Sequence, residues 1–200
     1  MTRRRSRRAR LAVLGALVPL LVACGGGSSG GTGSGSTKGA SSALEHPADE
    51  GIPGVMAIRV TSRNHTLGTV DYPIHPPAGG DHNPSPAPCG FYTQQLIDQY
   101  HITDENFVHT LEHGGVWIAY SPTLAQADVD KIHTLVDQND DLFATPYALK
   151  AGVAVVVTAW ARQLTLTSAS DPRLKQFYEK YRNGPQAPEA YLSCPRFTTP

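Results

Sequence analysis

The stretch Phe107–Tyr120, FVHTLEHGGVWIAY, determines the expected fold, because it changes from a helical pattern to a strand pattern within a few residues. Its first part carries an apolar helical face made by Phe107, Val108 and Leu111. Thr103 or Asp104 can cap this helix, and Gly114 can take the left-handed conformation that ends one. The following run VWIAY is uniformly apolar and has the length of a buried strand. The stretch therefore predicts a helix that turns directly into a sheet.

Histidines occur on this helix at a metal-binding spacing. His109 and His113 are one turn apart and Glu112 lies beside them, so the three side chains share one face. A second histidine-bearing segment lies upstream, in the proline-rich run YPIHPPAGGDHNPSPAPCG, residues 72–90. Its prolines and glycines exclude a regular helix and predict a long ordered loop. That loop carries three further candidate ligands, namely His75, His82 and Cys89.

Strands and helices alternate in the rest of the chain. Apolar or alternating runs predict strands at 55–60, 143–146, 153–160 and 164–167. Apolar residues at near-helical spacing predict a helix over 124–136, and Ser170-Asp171-Pro172 begins another that ends at Gly184. We expect an α/β fold, with α+β possible, in one compact domain. Its mixed sheet would have about four to five strands and two to three flanking helices, with the proline-rich loop packed against them.

The N-terminus has the features of an export signal. Arginines precede an apolar run, Leu11–Ala23, that matches a secretory signal and is too short to span a membrane. Cys24 follows at once, and here the chain resembles a bacterial lipoprotein precursor. The resemblance implies that residues 1–23 are a signal peptide and that Cys24 receives lipid such as palmitate. The domain would then be anchored to the membrane outside the cytoplasm. The arginine pairs also resemble a twin-arginine signal, so the export route stays open.

A flexible tether is predicted after Cys24. Residues 24–44 contain mainly glycine, serine and threonine and offer little that could pack in a core. About twenty such residues reach roughly 25 Å. The globular domain is therefore expected at residues 45–200.

The charge of the mature chain differs from that of the full sequence. The chain has 17 basic and 17 acidic residues, but six of the basic ones lie in residues 1–23. Removing that segment leaves 11 basic against 17 acidic residues, a net charge of −6 with histidine neutral. Such a domain has no basic patch for phosphates, so nucleic acid is not an expected partner. A cation is compatible with this charge.

Two cysteines remain in the globular part, Cys89 and Cys194. An even pair in an exported domain favours a disulfide between them. The alternative is that Cys89 is a free thiolate ligand of a metal.

Several of these motifs resemble those of a known exported bacterial family. They are PPAGGDHNPSPAPCGFY, FVHTLEHGGVWIAYSP, ATPY, TAW and a late PE with a C-terminal cysteine. The chain is similar in these motifs to the family catalogued as domain of unknown function 3105. The resemblance covers about residues 51–194, and His82, His109 and His113 fall on its motif positions. It implies no established reaction.

The leading hypothesis is a divalent metal site made by His82, His109 and His113. Glu112, His75 or Cys89 could supply a further ligand. Imidazole nitrogens suit zinc and copper(II), whereas calcium and magnesium prefer oxygen ligands. We therefore predict a site that binds zinc or copper rather than one that performs catalysis.

Two alternatives use the same residues. In the first, the histidines and Glu112 form a structural hydrogen-bond network, and the domain binds a non-metal ligand or a protein that the sequence does not identify. In the second, the H-x-x-E-H spacing of residues 109–113 indicates a zinc hydrolase in which Glu112 activates water. The glycines that stop the helix argue against this second alternative. No Ser-His-Asp order, phosphate-binding glycine loop or C-x-x-C motif is present in the sequence.

Overall fold

The structure is a computed structural model that describes residues 45–48, 50–190, 192 and 194–197. The predicted signal peptide, Cys24 and the predicted linker lie outside the described residues. In chain order the described elements are β1 Glu45–Pro47, β2 Met56–Ile58, β3 Gly90–Phe91, α1 Gln94–Tyr100, α2 Asp104–Glu112, β4 Val116–Tyr120, α3 Gln126–Asp137, β5 Leu142–Pro146, β6 Val155–Ala159, β7 Arg162–Leu166 and α4 Pro172–Tyr181. None of the helices in these ranges is both long enough and apolar enough to cross a membrane.

The strands form one mixed sheet in the order β1-β2-β7-β6-β4-β5-β3. β4 and β5 are parallel, with Trp117 opposite Phe143, and α3 makes the crossover between them. β3 also runs parallel to β5, whereas β4 to β6, β6 to β7, β7 to β2 and β2 to β1 are antiparallel. The fold is therefore a mixed α/β domain, as the sequence predicts.

Both faces of the sheet are covered, which explains why β4 is apolar at every position. Val116 and Ile118 point to a core that α3 and α4 complete with Ile132 and Phe177. On the opposite face, the alternate residue Trp117 packs in a second core. That core is completed by α2 and the proline-rich loop through Tyr72, Ala87, Cys89, Phe107, Val108 and Leu111. A strand buried on both faces needs apolar residues in both registers.

The proline-rich loop is attached covalently to the C-terminal segment. Cys89 and Cys194 form a disulfide, which confirms the pairing predicted from the sequence. Backbone hydrogen bonds reinforce it, since the Cys89 N–H donates to the Pro195 carbonyl and the Phe197 N–H donates to the Cys89 carbonyl. The thiolate role considered for Cys89 is therefore wrong, because its sulfur is already bonded.

The segment before β2 is fixed by a partly buried polar clamp. Glu50 Oε1 accepts hydrogen bonds from Arg162 at 3.0 and 2.6 Å, and Glu50 Oε2 accepts one from the Tyr181 hydroxyl at 2.8 Å. These bonds lower the pKa of Glu50, with the Arg162 hydrogen bond as the largest cause. The clamp joins the N-terminal segment to β7 and α4.

The sheet has more strands than the sequence predicts. β1, β3 and the helix α1 were not predicted, and β2 is shorter than the predicted strand at 55–60. β1 and β3 are only three and two residues long, and they contain a proline and a glycine that weaken any strand pattern. α1 has no buried residue, so it lacks the apolar face that reveals a helix in a sequence.

Candidate metal centre

The end of α2 places two polar side chains in the protein interior. Thr103 caps the helix and forms a capping box with Asn106. His109 and Glu112 lie on the last turn, and both are buried. The helix then stops, because Gly114 adopts a φ of +95° that suits glycine. His113 therefore lies beyond the last helical residue.

The proline-rich loop brings His82 to this helix end. The His82 N–H donates to the Asn64 carbonyl at 3.0 Å, and the His82 carbonyl accepts from the Thr66 N–H at 2.8 Å. This short parallel bridge aligns His65 with His82, with their ring centroids 5.1 Å apart. The upstream segment thus adds a histidine to the site.

Four side chains converge at this point, namely His65, His82, His109 and Glu112. One ligand atom of each lies within 4.8 Å of the ligand atoms of the other three. The ring of His82 is 4.7 Å from that of His109, centroid to centroid, and the ring of His65 is 4.9 Å from that of His109. His82, His109 and Glu112 are buried, whereas His65 is exposed. The cluster is therefore closed on the protein side and open toward solvent at His65.

Backbone carbonyls fix the tautomers of the two buried histidines. His82 Nδ1 lies 2.8 Å from the Gly80 carbonyl oxygen, and His109 Nδ1 lies 2.7 Å from the Asn83 carbonyl oxygen. A carbonyl only accepts, so each Nδ1 carries a proton and donates. In a neutral ring this leaves the Nε2 lone pair free. Histidines that ligate metals are commonly held in this way, with the other ring nitrogen donating to a carbonyl or carboxylate.

The contact between His82 and Glu112 is close but does not have hydrogen-bond geometry. Nε2 of His82 and Oε2 of Glu112 are 2.9 Å apart, and their side chains are 0% and 2% exposed. The geometry is nevertheless not that of a hydrogen bond, and no described residue makes a hydrogen bond to this nitrogen. A neutral His82 and an ionised Glu112 present only lone pairs to each other. Two buried acceptors at this distance repel unless a cation or a proton lies between them.

Charged groups surround the cluster on its outer side. Arg63 donates to Glu112 Oε1 at 3.0 Å and lies 3.7 Å from Glu189. Glu189 in turn lies 3.5 Å from His113 Nε2 and is held by a backbone hydrogen bond to the Glu112 carbonyl. Burial lowers the pKa of both His109 and His113, which favours their neutral forms. Neutral imidazole is the form that binds a metal.

The structure brings together some of the predicted site residues and replaces others. His82, His109 and Glu112 converge as the sequence suggests. His113 packs edge-on against His109, with centroids 4.5 Å apart, but it does not belong to the converging group of four. His75 lies elsewhere, with its Nδ1 3.3 Å from the Tyr147 hydroxyl. Cys89, an alternative ligand in the sequence, is bonded to Cys194 in the disulfide.

Sequence reasoning missed His65 and its neighbour Arg63. Both lie in a polar stretch with no helical or strand periodicity, so the sequence gives no face on which to place them. The only usable signal was the presence of one more histidine ahead of the proline-rich loop. Their approach to the cluster depends on the backbone bridge to His82, which is a contact between two irregular segments.

Three imidazoles and one carboxylate form a donor set suited to zinc or copper(II). Tetrahedral ligands at about 2.0–2.1 Å from zinc lie roughly 3.3 Å from one another. The four ligand atoms lie within 4.8 Å of one another, so the side chains would have to draw closer together to complete a four-ligand site. His82 and Glu112 already lie near this spacing, since their nearest polar atoms are 2.9 Å apart.

Comparisons with known proteins agree with the motifs of the helix and loop. A search of curated proteins and a search of solved structures each found no significant match. A family model described as "Protein of unknown function (DUF3105)" matches residues 64–196. The matched region contains all four residues of the cluster and both cysteines of the disulfide. The chain therefore belongs to the DUF3105 family of proteins of unknown function.

Proposed function

We propose that this protein is an exported lipoprotein whose cluster of His65, His82, His109 and Glu112 binds a divalent metal ion, zinc or copper(II). The observation that carries the proposal is the buried contact between His82 Nε2 and Glu112 Oε2. A metal ion between these atoms would satisfy both lone pairs and compensate the negative charge of the carboxylate.

The surrounding hydrogen bonds support the same conclusion. Nδ1 of His82 and Nδ1 of His109 each donate to a carbonyl, which directs their Nε2 atoms as ligands. Arg63 donates to the other oxygen of Glu112 and holds the carboxylate in place. These contacts fix the three buried ligands before any metal arrives.

Binding is better supported than hydrolysis. In the hydrolase alternative, Glu112 would need an oxygen free to take a proton from water. Here one oxygen is engaged by Arg63 and the other lies against His82. His109 and His113 also fail to converge as the two zinc ligands of that motif would. These contacts favour Glu112 as a ligand or as a partner of a ligand.

The proposed location rests on the sequence of the first residues. An arginine-rich start, the apolar run Leu11–Ala23 and Cys24 match the pattern of a lipidated precursor. The disulfide is consistent with an oxidising compartment outside the cytoplasm. The domain would then bind its metal at the outer side of the membrane that carries the lipid.

Metal content of the purified protein tests the proposal. After addition of zinc or copper(II) and removal of excess metal, we expect about one ion per chain by elemental analysis. His82→Gln and His109→Gln should each lose most of the metal, because each removes a buried ligand. A wild-type protein that retains no metal would contradict the proposal.

Two further histidine variants separate the structural site from the site expected from the sequence. His65→Gln should weaken metal binding more than His113→Gln, because His65 belongs to the converging group. His75→Gln serves as the matched control, since His75 contacts Tyr147 instead of the cluster. It should bind metal as the wild type does.

A further inference from the structure

A separate cavity lies at the other end of α2. It has a volume of about 550 Å³, within the usual range for sites of small organic molecules. Asp104 at the start of the helix lines it, whereas Glu112 of the metal cluster is the last residue of the same helix. Eight residues of helical rise separate their Cα atoms by roughly 12 Å. The cavity is therefore distinct from the proposed metal site.

One wall of the cavity is apolar. It is formed by Ile97, Ile102, Phe107, Pro122 and Pro146. These residues come from α1, the turn between α1 and α2, α2, the segment after β4 and the end of β5. An apolar wall of this kind accommodates the hydrocarbon or aromatic body of a small ligand.

The lining of the cavity also carries a carboxylate in a polar cluster. Asp104 Oδ2 accepts a hydrogen bond from the Tyr147 hydroxyl at 2.6 Å. His75 Nδ1 lies 3.3 Å from the same hydroxyl and 3.9 Å from Asp104 Oδ2. These three side chains converge at the lining of the cavity. The cluster also explains His75, a loop histidine that the metal site does not use.

One oxygen of this carboxylate is left available. Oδ1 of Asp104 accepts no hydrogen bond from any residue that the structure describes, and the Asp104 side chain is 28% exposed. Burial raises the pKa of Asp104, because its negative charge is poorly solvated among apolar neighbours. The hydrogen bond from Tyr147 only partly offsets this cost. A cationic donor that enters the cavity would stabilise the carboxylate directly.

We infer that this cavity binds a small organic amine, with its ammonium group on Asp104 Oδ1 and its apolar body against Phe107 and the neighbouring isoleucines. Asp104 supplies the only carboxylate among the described residues that line the cavity, and no lysine or arginine lines it. The charge of the site thus favours a cation over an anion. The aromatic rings of Phe107 and Tyr147 add a second preference for an ammonium group. This inference does not depend on metal binding.

Binding of three related probes tests the inference. Phenethylamine, 2-phenylethanol and 3-phenylpropionate share one aromatic body but differ in charge. At pH 8 an alkylammonium group remains protonated while an ordinary histidine is neutral. Measured by calorimetry or ligand-observed NMR on the wild-type protein, phenethylamine should bind about tenfold or more tightly than the alcohol. Equal binding of the three probes, or a preference for the carboxylate, would overturn the inference.

Two variants locate the binding. Asp104→Asn should weaken phenethylamine binding by about tenfold or more, because it removes the charge and leaves the shape. Glu179→Gln, an exposed carboxylate on α4, is the matched control and should leave the affinity unchanged. If Asp104→Asn does not fold, Ala148→Trp replaces it, since Ala148 is an exposed residue of the cavity lining. Wild-type affinity in Asp104→Asn, or in Ala148→Trp, would contradict the proposed location.

Discussion

Replacing Glu112 by glutamine should stabilise the metal-free protein while weakening its metal binding. In the metal-free state, Oε2 of Glu112 lies 2.9 Å from His82 Nε2 without hydrogen-bond geometry, so with His82 neutral neither acceptor has a donor in this contact. A glutamine amide at the same place can donate a hydrogen bond to that nitrogen. Its carbonyl can still accept from Arg63. The substitution therefore replaces a repulsive contact by a hydrogen bond.

The expected gain follows from the burial of the two atoms. Relieving an unsatisfied buried acceptor is worth about 1–3 kcal/mol. The lost charge of Glu112 weakens its pairing with Arg63, but the Arg63 side chain is 56% exposed, so this costs at most about 1 kcal/mol. The net gain in the free energy of unfolding is about 1–2 kcal/mol. For a domain of this size that raises the Tm by about 2–8 °C.

Thermal denaturation with a chelator and with added zinc measures both halves of this prediction. With a chelator, Glu112→Gln should melt above the wild type. With zinc at one hundred times the Kd, the wild type should gain about 2.7 kcal/mol, and the variant should gain less because its affinity is lower. Glu179→Gln is the control and should change the Tm little in either condition.

A lower Tm for Glu112→Gln than for the wild type, measured in the presence of the chelator, would refute this reasoning. If His82 were a charged imidazolium paired with Glu112, the substitution would leave a buried unpaired charge and cost about 3–5 kcal/mol. That result, together with no effect of zinc, would favour the structural hydrogen-bond network over a metal site.

Three further changes test the fold. Cys89→Ala opens a disulfide that closes 105 residues of chain, so urea denaturation should show a loss approaching 4–5 kcal/mol, on the order of the loop-closure entropy. Gly114 has a φ of +95°, and in Gly114→Ala the new Cβ would lie 2.9 Å from a Cα beyond the end of α4. This substitution should cost about 2 kcal/mol or more of stability in the same assay. Gly152→Ala, which has open space around the new Cβ, should cost only about 1 kcal/mol. The pKa of Glu50 is lowered from 4.5, chiefly by the Arg162 hydrogen bond, so its contribution is present above about pH 4.5 and is lost as the pH falls through the lowered value. Glu50→Gln should lose up to about 1 kcal/mol at pH 7 and progressively less as the pH falls below 4.5.

The central part of the fold is predictable because its elements carry strong local signals. The helix at 104–112 has a capping residue, an apolar face and a terminal glycine, and the strand VWIAY follows it at once. α3, α4 and the strands β5–β7 also show clear periodicity or uniform apolarity. The short outer strands β1 and β3 do not, because their pairing depends on neighbours that are distant in the chain.

The candidate site was predictable for the residues of α2 and for His82, which a motif of the proline-rich loop carries. The helical spacing of His109 and Glu112 is visible in the sequence, since residues one turn apart share a face. The sequence also favours His113, but the helix stops before that residue and its ring turns toward Glu189. His65 enters through a bridge between two irregular segments, and no periodicity encodes such a bridge. Those contacts require the folded chain.

The C-terminal segment also determines how the edge of the sheet meets other molecules. β3 is the last strand on its side of the sheet, and an open edge of this kind can pair with a strand from another chain. In Cys89, the residue just before β3, the backbone N–H and carbonyl are already hydrogen-bonded to Pro195 and Phe197. The Phe197 side chain lies over Gly90 and against Tyr92 and covers the same edge. Loss of this segment would expose the edge, so truncation before residue 194 should promote self-association.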